Sequence, residues 1–228
     1  MPRETLDRKI RYLYDEILLM DSMVEQATID AVEALKNQHL EEARQIIDND
    51  TLINKKRFEL ENDIIVTIAT QQPIMASDLR LMASILEIVG ELERMGDYAK
   101  GIARVALLIG RQPFVKPMID IQKMRDITLD MLHRAVGAFV DQDAELAKII
   151  PTDDDKVDDL YQDIYRELVA IMTSDPKAIN QSNQLMWVAH NLERMADRVT
   201  NICERTIYVA TGRLVELSTS DDEMIPYS

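Results

Sequence analysis

Leu92-Glu93-Arg94-Met95-Gly96-Asp97 returns 100 positions later as Leu192-Glu193-Arg194-Met195-Ala196-Asp197. A repeat of this kind decides how often one supersecondary unit is used, so it is read before anything else. A second set of matches precedes it at an offset of 104. Ala31-Val32-Glu33-Ala34 aligns with Ala135-Val136-Gly137-Ala138, Asp50 with Asp154, Ile53 with Val157 and Asn54 with Asp158. The change of offset places a four-residue deletion in the second copy between these blocks, where Pro73 and Pro176 fall. Connections tolerate such length changes.

Working outward, each half reads as the same set of helices. In the first, apolar residues at helical spacing (Leu13, Ile17, Met20, Val24, Ala27, Ala31) predict a helix over about 6–36. A polar break at 37–39 follows, then a stretch over 40–47 and a long helix over about 50–70. Gln71-Gln72-Pro73 forces a turn, because the residue before proline avoids the α region. The third helix is expected over about 77–108 with Ser77 or Asp78 as N-cap, its buried stripe being Leu81, Ile85, Ile88, Leu92, Met95, Ala99, Ile102 and Ala106. The segment 110–117, with two prolines and a glycine, is the expected boundary. The second half repeats the plan over about 120–140, 154–172 and 178–210, with Gly212 as a stop and 218–228 as a frayed tail. Three long helices per half bury their apolar faces only against one another. The predicted fold is therefore all-α: two tandem, pseudo-symmetric antiparallel three-helix bundles, 1–112 and 113–228.

Composition agrees. The chain has 228 residues with only six glycines and 5% aromatics, which counts against an all-β sandwich or barrel. Forty-one acidic against 26 basic residues give a net charge of −15, the wrong sign for binding nucleic acid or an anionic membrane surface. The single cysteine, Cys203, excludes a disulfide framework and a thiolate cage. No apolar run approaches the roughly 20 residues that cross a bilayer, and the charged N-terminus does not resemble a signal peptide. A soluble, cytoplasmic protein without membrane insertion is expected.

The repeat also gathers carboxylates. Glu93 and Asp97 are one turn apart beside the buried stripe, as are Glu193 and Asp197 in the second copy. The second helix of each half supplies matching pairs, Asp154 with Asp158 and Asp50 with Asn54. If second and third helices pack side by side, these eight residues form two oxygen-donor patches suited to divalent or trivalent ions such as Mg, Mn, Ca or Fe, and able to hold more than one. Ordinary solvated charge is the competing reading of each pair. The acidic run 153–155 reads equally as ligands or as charge favoured by a helix N-terminus. His190 reads as a satisfied or exposed side chain, and Trp187 as a partner anchor or a cover for the adjacent helix. The 13 methionines read as core filler.

Gln72-Pro73, Ala76-Ser77-Asp78-Leu79-Arg80, the two Glu-Arg-Met-x-Asp blocks and Asn201-Ile202-Cys203-Glu204 together resemble the PhoU family of phosphate-transport accessory proteins. The likeness runs from about residue 6 to 212. It implies two tandem three-helix bundles whose E(D)xxxD motifs bind metal clusters, of iron or zinc. It also implies repression of the phosphate-starvation response through two partners, the phosphate ABC transporter ATPase and a sensor histidine kinase. A homodimer is compatible with that role. Carried over residue by residue, the motifs fall on Glu93 with Asp97, Glu193 with Asp197, Asp154 with Asp158, and Asp50 with Asn54. Asn54 departs by an amide, and Gly101 stands where the second copy has Asn201, so unequal occupancy of the bundles is expected.

A ferritin-like di-metal carboxylate protein is the alternative. It requires Glu-x-x-His motifs on facing helices, and none of His39, His133 and His190 follows a glutamate by three residues. No nucleophile–base pairing or glycine-rich phosphate loop is present, so a non-enzymatic adaptor is expected.

Overall fold

The computed structural model describes residues 2–217. The predicted tail at 218–228 lies outside the described residues. Seven α-helices follow one another: α1 (Pro2–Asn37), α2 (Leu40–Thr70), α3 (Ala76–Ile109), α4 (Ile119–Asp141), α5 (Ala144–Ile149), α6 (Asp154–Ser174) and α7 (Ile179–Thr211). Short 3-10 turns at Ile150–Asp153 and Pro176–Ala178 lead into α6 and α7.

The duplication is visible in the backbone. Gln38 and Gln142, 104 positions apart, both take left-handed φ values, 56° and 54°. Each reverses the chain in the same way, with the next residue's amide donating back to Ala34 or Ala138. Thr70 and Ser174, the last residues of α2 and α6, keep the offset of 104. The deletion therefore falls in the connection that follows, as expected.

The copies differ at one break. The stretches over 40–47 and 50–70, separate in the sequence reading, form the single helix α2. In the second half the corresponding path is α5, a 3-10 turn and α6. Pro151 stands where the first copy has Ile47, and proline removes an amide donor and clashes with the preceding turn. Asp143 then caps α5, accepting from the amides of Glu145 and Leu146 at 3.0 and 2.9 Å. Asp78, read as a cap of α3, sits instead in its first turn, where it accepts from the Met75 amide and from Arg3 of α1.

Helices α1, α2 and α3 pack into one antiparallel bundle and α4, α6 and α7 into the other. All eight residues of the predicted α3 stripe are buried. Burial on α3 is wider than that stripe, adding Met82, Val89, Gly96, Gly101, Ala103 and Val105. The cause is a second partner: α3 packs against α7 as extensively as against α1. The buried apolar residues consequently form one continuous cluster through both halves. A secondary crossing joins α1 to α4.

Arginines of α7 span the α3–α7 seam. Arg205 reaches Glu87 at 2.7 Å, Arg198 reaches Glu91 at 3.4 Å, and Arg194 reaches the Tyr98 hydroxyl at 3.4 Å. At its tightest point Gly101 faces Trp187, so Trp187 covers the adjacent helix although it is half-exposed. The irregular link 110–118 is held by buried Gln181 of α7, which accepts from the Val115 amide at 2.6 Å and donates to the Pro113 carbonyl at 3.0 Å.

A Cβ at position 101 would lie 2.8 Å from Trp187 Cη2 and 3.0 Å from Asn191 Nδ2. Overpacking a tight seam costs about 1–3 kcal/mol. Gly101→Ala is expected to lower the Tm by several degrees and to shift the emission of Trp187, the only tryptophan. Thermal unfolding followed by intrinsic fluorescence checks both.

Candidate functional site

Packing of α2 on α3 brings the first bundle's predicted pairs together through Lys100 and Arg57, and α6 packs on α7 in the second. The chemistry of the two patches is not the same.

In the first bundle the protein supplies its own cations. Asp50 is buried, at 5% exposure, and its Oδ2 accepts from Lys100 Nζ at 2.6 Å and from Asn54 Nδ2 at 2.9 Å. Lys100 also lies 3.4 Å from Asp97 Oδ1. Arg57 of α2 reaches Glu93 at 3.1 Å and Glu61 at 2.7 Å. The hydrogen bond to Asp50, above all, holds the Lys100 ammonium above its ordinary pKa. Asp50 and Asp97 are thus gathered around one ammonium, with Asn54 donating to Asp50, and Glu93 is held by a guanidinium. Three carboxylates face two built-in cations.

In the second bundle the matching positions carry no cation. Thr200 replaces Lys100 and Tyr161 replaces Arg57, while Asp158 replaces Asn54. Asp154 is buried at 2% exposure at the start of α6. Asp158, Glu193 and Asp197 are half-buried. Burial and then the Glu193 carboxylate raise the Tyr161 phenol pKa, so Tyr161 of α6 faces Glu193 of α7. His190 Nδ1 lies 3.1 Å from Glu193 Oε2. Burial, followed by the Arg194 charge, holds the imidazole below its ordinary pKa, which favours the neutral form. Arg194 and Arg198, adjacent to the motif in sequence, reach across the seam to α3, and the Tyr98 hydroxyl above all, then Asp197 and Glu193, raise the Arg194 pKa, so this guanidinium also faces the patch.

The sequence reading paired the carboxylates and read His190 as a satisfied or exposed side chain, but overlooked Lys100 and Arg57. The signal was available in the differences between the repeats, Lys100 against Thr200 and Arg57 against Tyr161, rather than in their identities. Within the acidic run, Asp153 is ion-paired with Arg134 and Lys156, Asp154 is buried, and Asp155 is exposed. Burial pushes the Cys203 thiol up to about 12, so it is no thiolate ligand at neutral pH.

As a test of fit, the donor set of the second bundle, four carboxylates and an adjoining imidazole with Thr200 and Tyr161 at the positions of Lys100 and Arg57, suits a cation by its chemistry, although no three of these donors bring ligand atoms within 4.8 Å of one another. It does not match the first, where Lys100 already holds the buried oxygen. Removing Lys100 should leave Asp50 charged and buried, at a cost of about 1–3 kcal/mol, between that of exposed and fully buried pairs. Lys100→Met alone is expected to destabilise more than the double variant Asp50→Asn/Lys100→Met. Urea unfolding of the four members of that cycle in chelator-containing buffer measures the difference.

A family model described as the PhoU domain matches residues 6–106 and 121–206. The chain is 37% identical over 218 residues to the phosphate-specific transport system accessory protein PhoU homolog of Clostridium acetobutylicum, covering 96% of this chain and all of that one. It is 34% identical to PhoU of Escherichia coli K12, covering 87% and 82% of the two chains. The crystal structure of PhoU from Pseudomonas aeruginosa superposes with a TM-score of 0.85 at 32% identity, covering 91% of this chain and 99% of that one. The phosphate transport system regulatory protein PhoU from Streptococcus pneumoniae gives 0.87 at 30% identity, covering 93% and 100%. The two copies of the bundle, their order and their motifs make this chain a member of the PhoU family.

Proposed function

We propose that the protein is a non-enzymatic regulatory adaptor of phosphate uptake that carries metal on its second bundle. The role in phosphate transport comes from relatives named as accessory and regulatory proteins of that system, which this chain matches over most of their length. The metal reading rests on one observation: the built-in cations of the first patch, Lys100 and Arg57, become Thr200 and Tyr161 in the second. Asp154, Asp158, Glu193 and Asp197 would hold the ion, with His190 as an adjoining nitrogen donor. Carboxylate oxygens suit hard cations, and a neighbouring imidazole extends the range to iron or zinc. When bound, the ion supplies charge neutralisation, and it stabilises the fold because it binds only the native arrangement. The first patch, with Asp50, Asn54, Glu93 and Asp97, is neutralised by the protein itself and keeps little affinity for metal.

The adaptor role places the helical surface against the ATPase of the phosphate ABC transporter and a sensor histidine kinase, which it would hold in the repressed state when phosphate is abundant. No helix among the described residues is long and apolar enough to cross a membrane, so contact with a membrane complex runs through such protein partners. Free phosphate seeks arginine, lysine or a helix N-terminus, and the duplicated patches are acidic, so direct phosphate sensing is not part of this reading.

Two measurements separate the halves of the proposal. Elemental analysis of purified protein should show bound metal falling sharply in Glu193→Gln/Asp197→Asn, and also in Thr200→Lys/Tyr161→Arg, which copies the first patch onto the second. Unchanged metal content in both variants sinks the metal reading. Co-purification at high and low phosphate should retain the transporter ATPase and the kinase; retention of neither sinks the adaptor reading.

A further inference from the structure

A different cluster lies where the two halves cross. On α1, Asp21 and Glu25 are one turn apart and face α4, which brings in His133. One ligand atom from each of the three lies within 4.8 Å of the other two, and His133 Nδ1 is 3.4 Å from Glu25 Oε1. Among the described residues this is the one group of three or more histidine, cysteine, aspartate or glutamate side chains found that close together. A tetrahedral ion with bonds of about 2.1 Å spaces its ligands about 3.4 Å apart, so small rotamer adjustments suffice to close on one.

The second observation concerns Asp21. It is 5% exposed, and its Oδ1 has no hydrogen-bond partner. A buried carboxylate oxygen without a partner is costly, and such groups call for an explanation. Burial, and then the Glu25 carboxylate, push the Asp21 carboxyl up to about 8. The repeat shows what is missing. At the offset of 104, Asp21 corresponds to Arg125, which closes the other end of this same crossing by pairing with Glu33 of α1 at 2.9 Å. The counterpart of Glu33 is Gly137, where an added Cβ would meet nothing within 4 Å. One end of the α1–α4 crossing is clamped by a charge pair. The other presents a buried carboxylate, a glutamate and an imidazole.

We propose that Asp21, Glu25 and His133 form a further metal site that takes one borderline divalent transition ion, of the zinc class, and ties α1 of the first bundle to α4 of the second. One imidazole with two carboxylates is a donor set for such ions, and three protein ligands leave a position for water. The site has no copy elsewhere in the chain, since Glu25 and His133 correspond to Leu129 and Ile29. It is independent of the acidic patch on α6 and α7.

The test uses the full chain, stripped with chelator, in the Glu193→Gln/Asp197→Asn background, so that the patch on α6 and α7 does not contribute. Titration with zinc chloride by calorimetry should give one equivalent bound and a zinc-dependent rise in Tm. His133 is 77% exposed, so His133→Ala should fold normally while weakening zinc binding at least about tenfold and abolishing the rise in Tm. Asp21→Asn should do the same. Cobalt in place of zinc should give visible absorption bands that disappear in His133→Ala. No zinc bound in the background, or His133→Ala with unchanged affinity and stoichiometry, overturns the site without touching the reading of Glu193 and Asp197.

Discussion

The packing of α3 on α7 is the contact on which the rest of the molecule depends. α3 is second in length only to α1 in its half and α7 is the longest helix of its own, and each gives one face to its own bundle and another to its duplicate. A three-helix bundle of about 100 residues buries a limited core on its own. Sharing the central helices merges the two cores into one, and it explains why Gly101 faces a tryptophan. It also fixes orientation. With α3 and α7 committed to each other through Arg198–Glu91 and Arg205–Glu87, the orientation of the helices that carry Glu93, Asp97, Glu193 and Asp197 is set.

Much of this was legible in the sequence because helices announce themselves through spacing. The stripe from Leu81 to Ala106 follows from a period of 3.6 residues, and the breaks at Gln38 and Gln142 from a polar interruption repeated at the same offset. Less legible was anything that depends on a second partner. Periodicity identifies one buried face, and α3 has two, so Gly101, Ala103 and Val105 stood outside the predicted stripe. Pro151 was visible, yet the continuity of α2 was not, because a polar stretch such as Asp48-Asn49-Asp50 reads as a break until packing shows that helix continues through it.

The site was half legible for a related reason. Carboxylates one turn apart are a pattern within a helix, and repetition made them conspicuous. Lys100 and Arg57 act across helices, where spacing carries no information. Asp21 is the harder case: it lies within the apolar stripe of α1, between Met20 and Val24, and only its place against α4 gives it a role.

Duplication created two equal acidic faces, and the present differences show how a duplicated site can divide its work. An acidic patch at the edge of a core has three ways to relieve repulsion: protonation, a protein cation or a bound ion. The first bundle took the second route through Lys100, which fixes the charge of that face regardless of conditions. On the proposed reading the second bundle, with Thr200 and Tyr161 at the corresponding places, takes the third route. A face neutralised from within is constant, whereas one neutralised from solution responds to ion availability. On the proposed reading, the formal charge of −15 therefore overstates the acidity of the loaded protein. On that same reading the second bundle is the half whose surface potential would follow ion availability, and so the half whose contacts with a partner would be altered without refolding the chain.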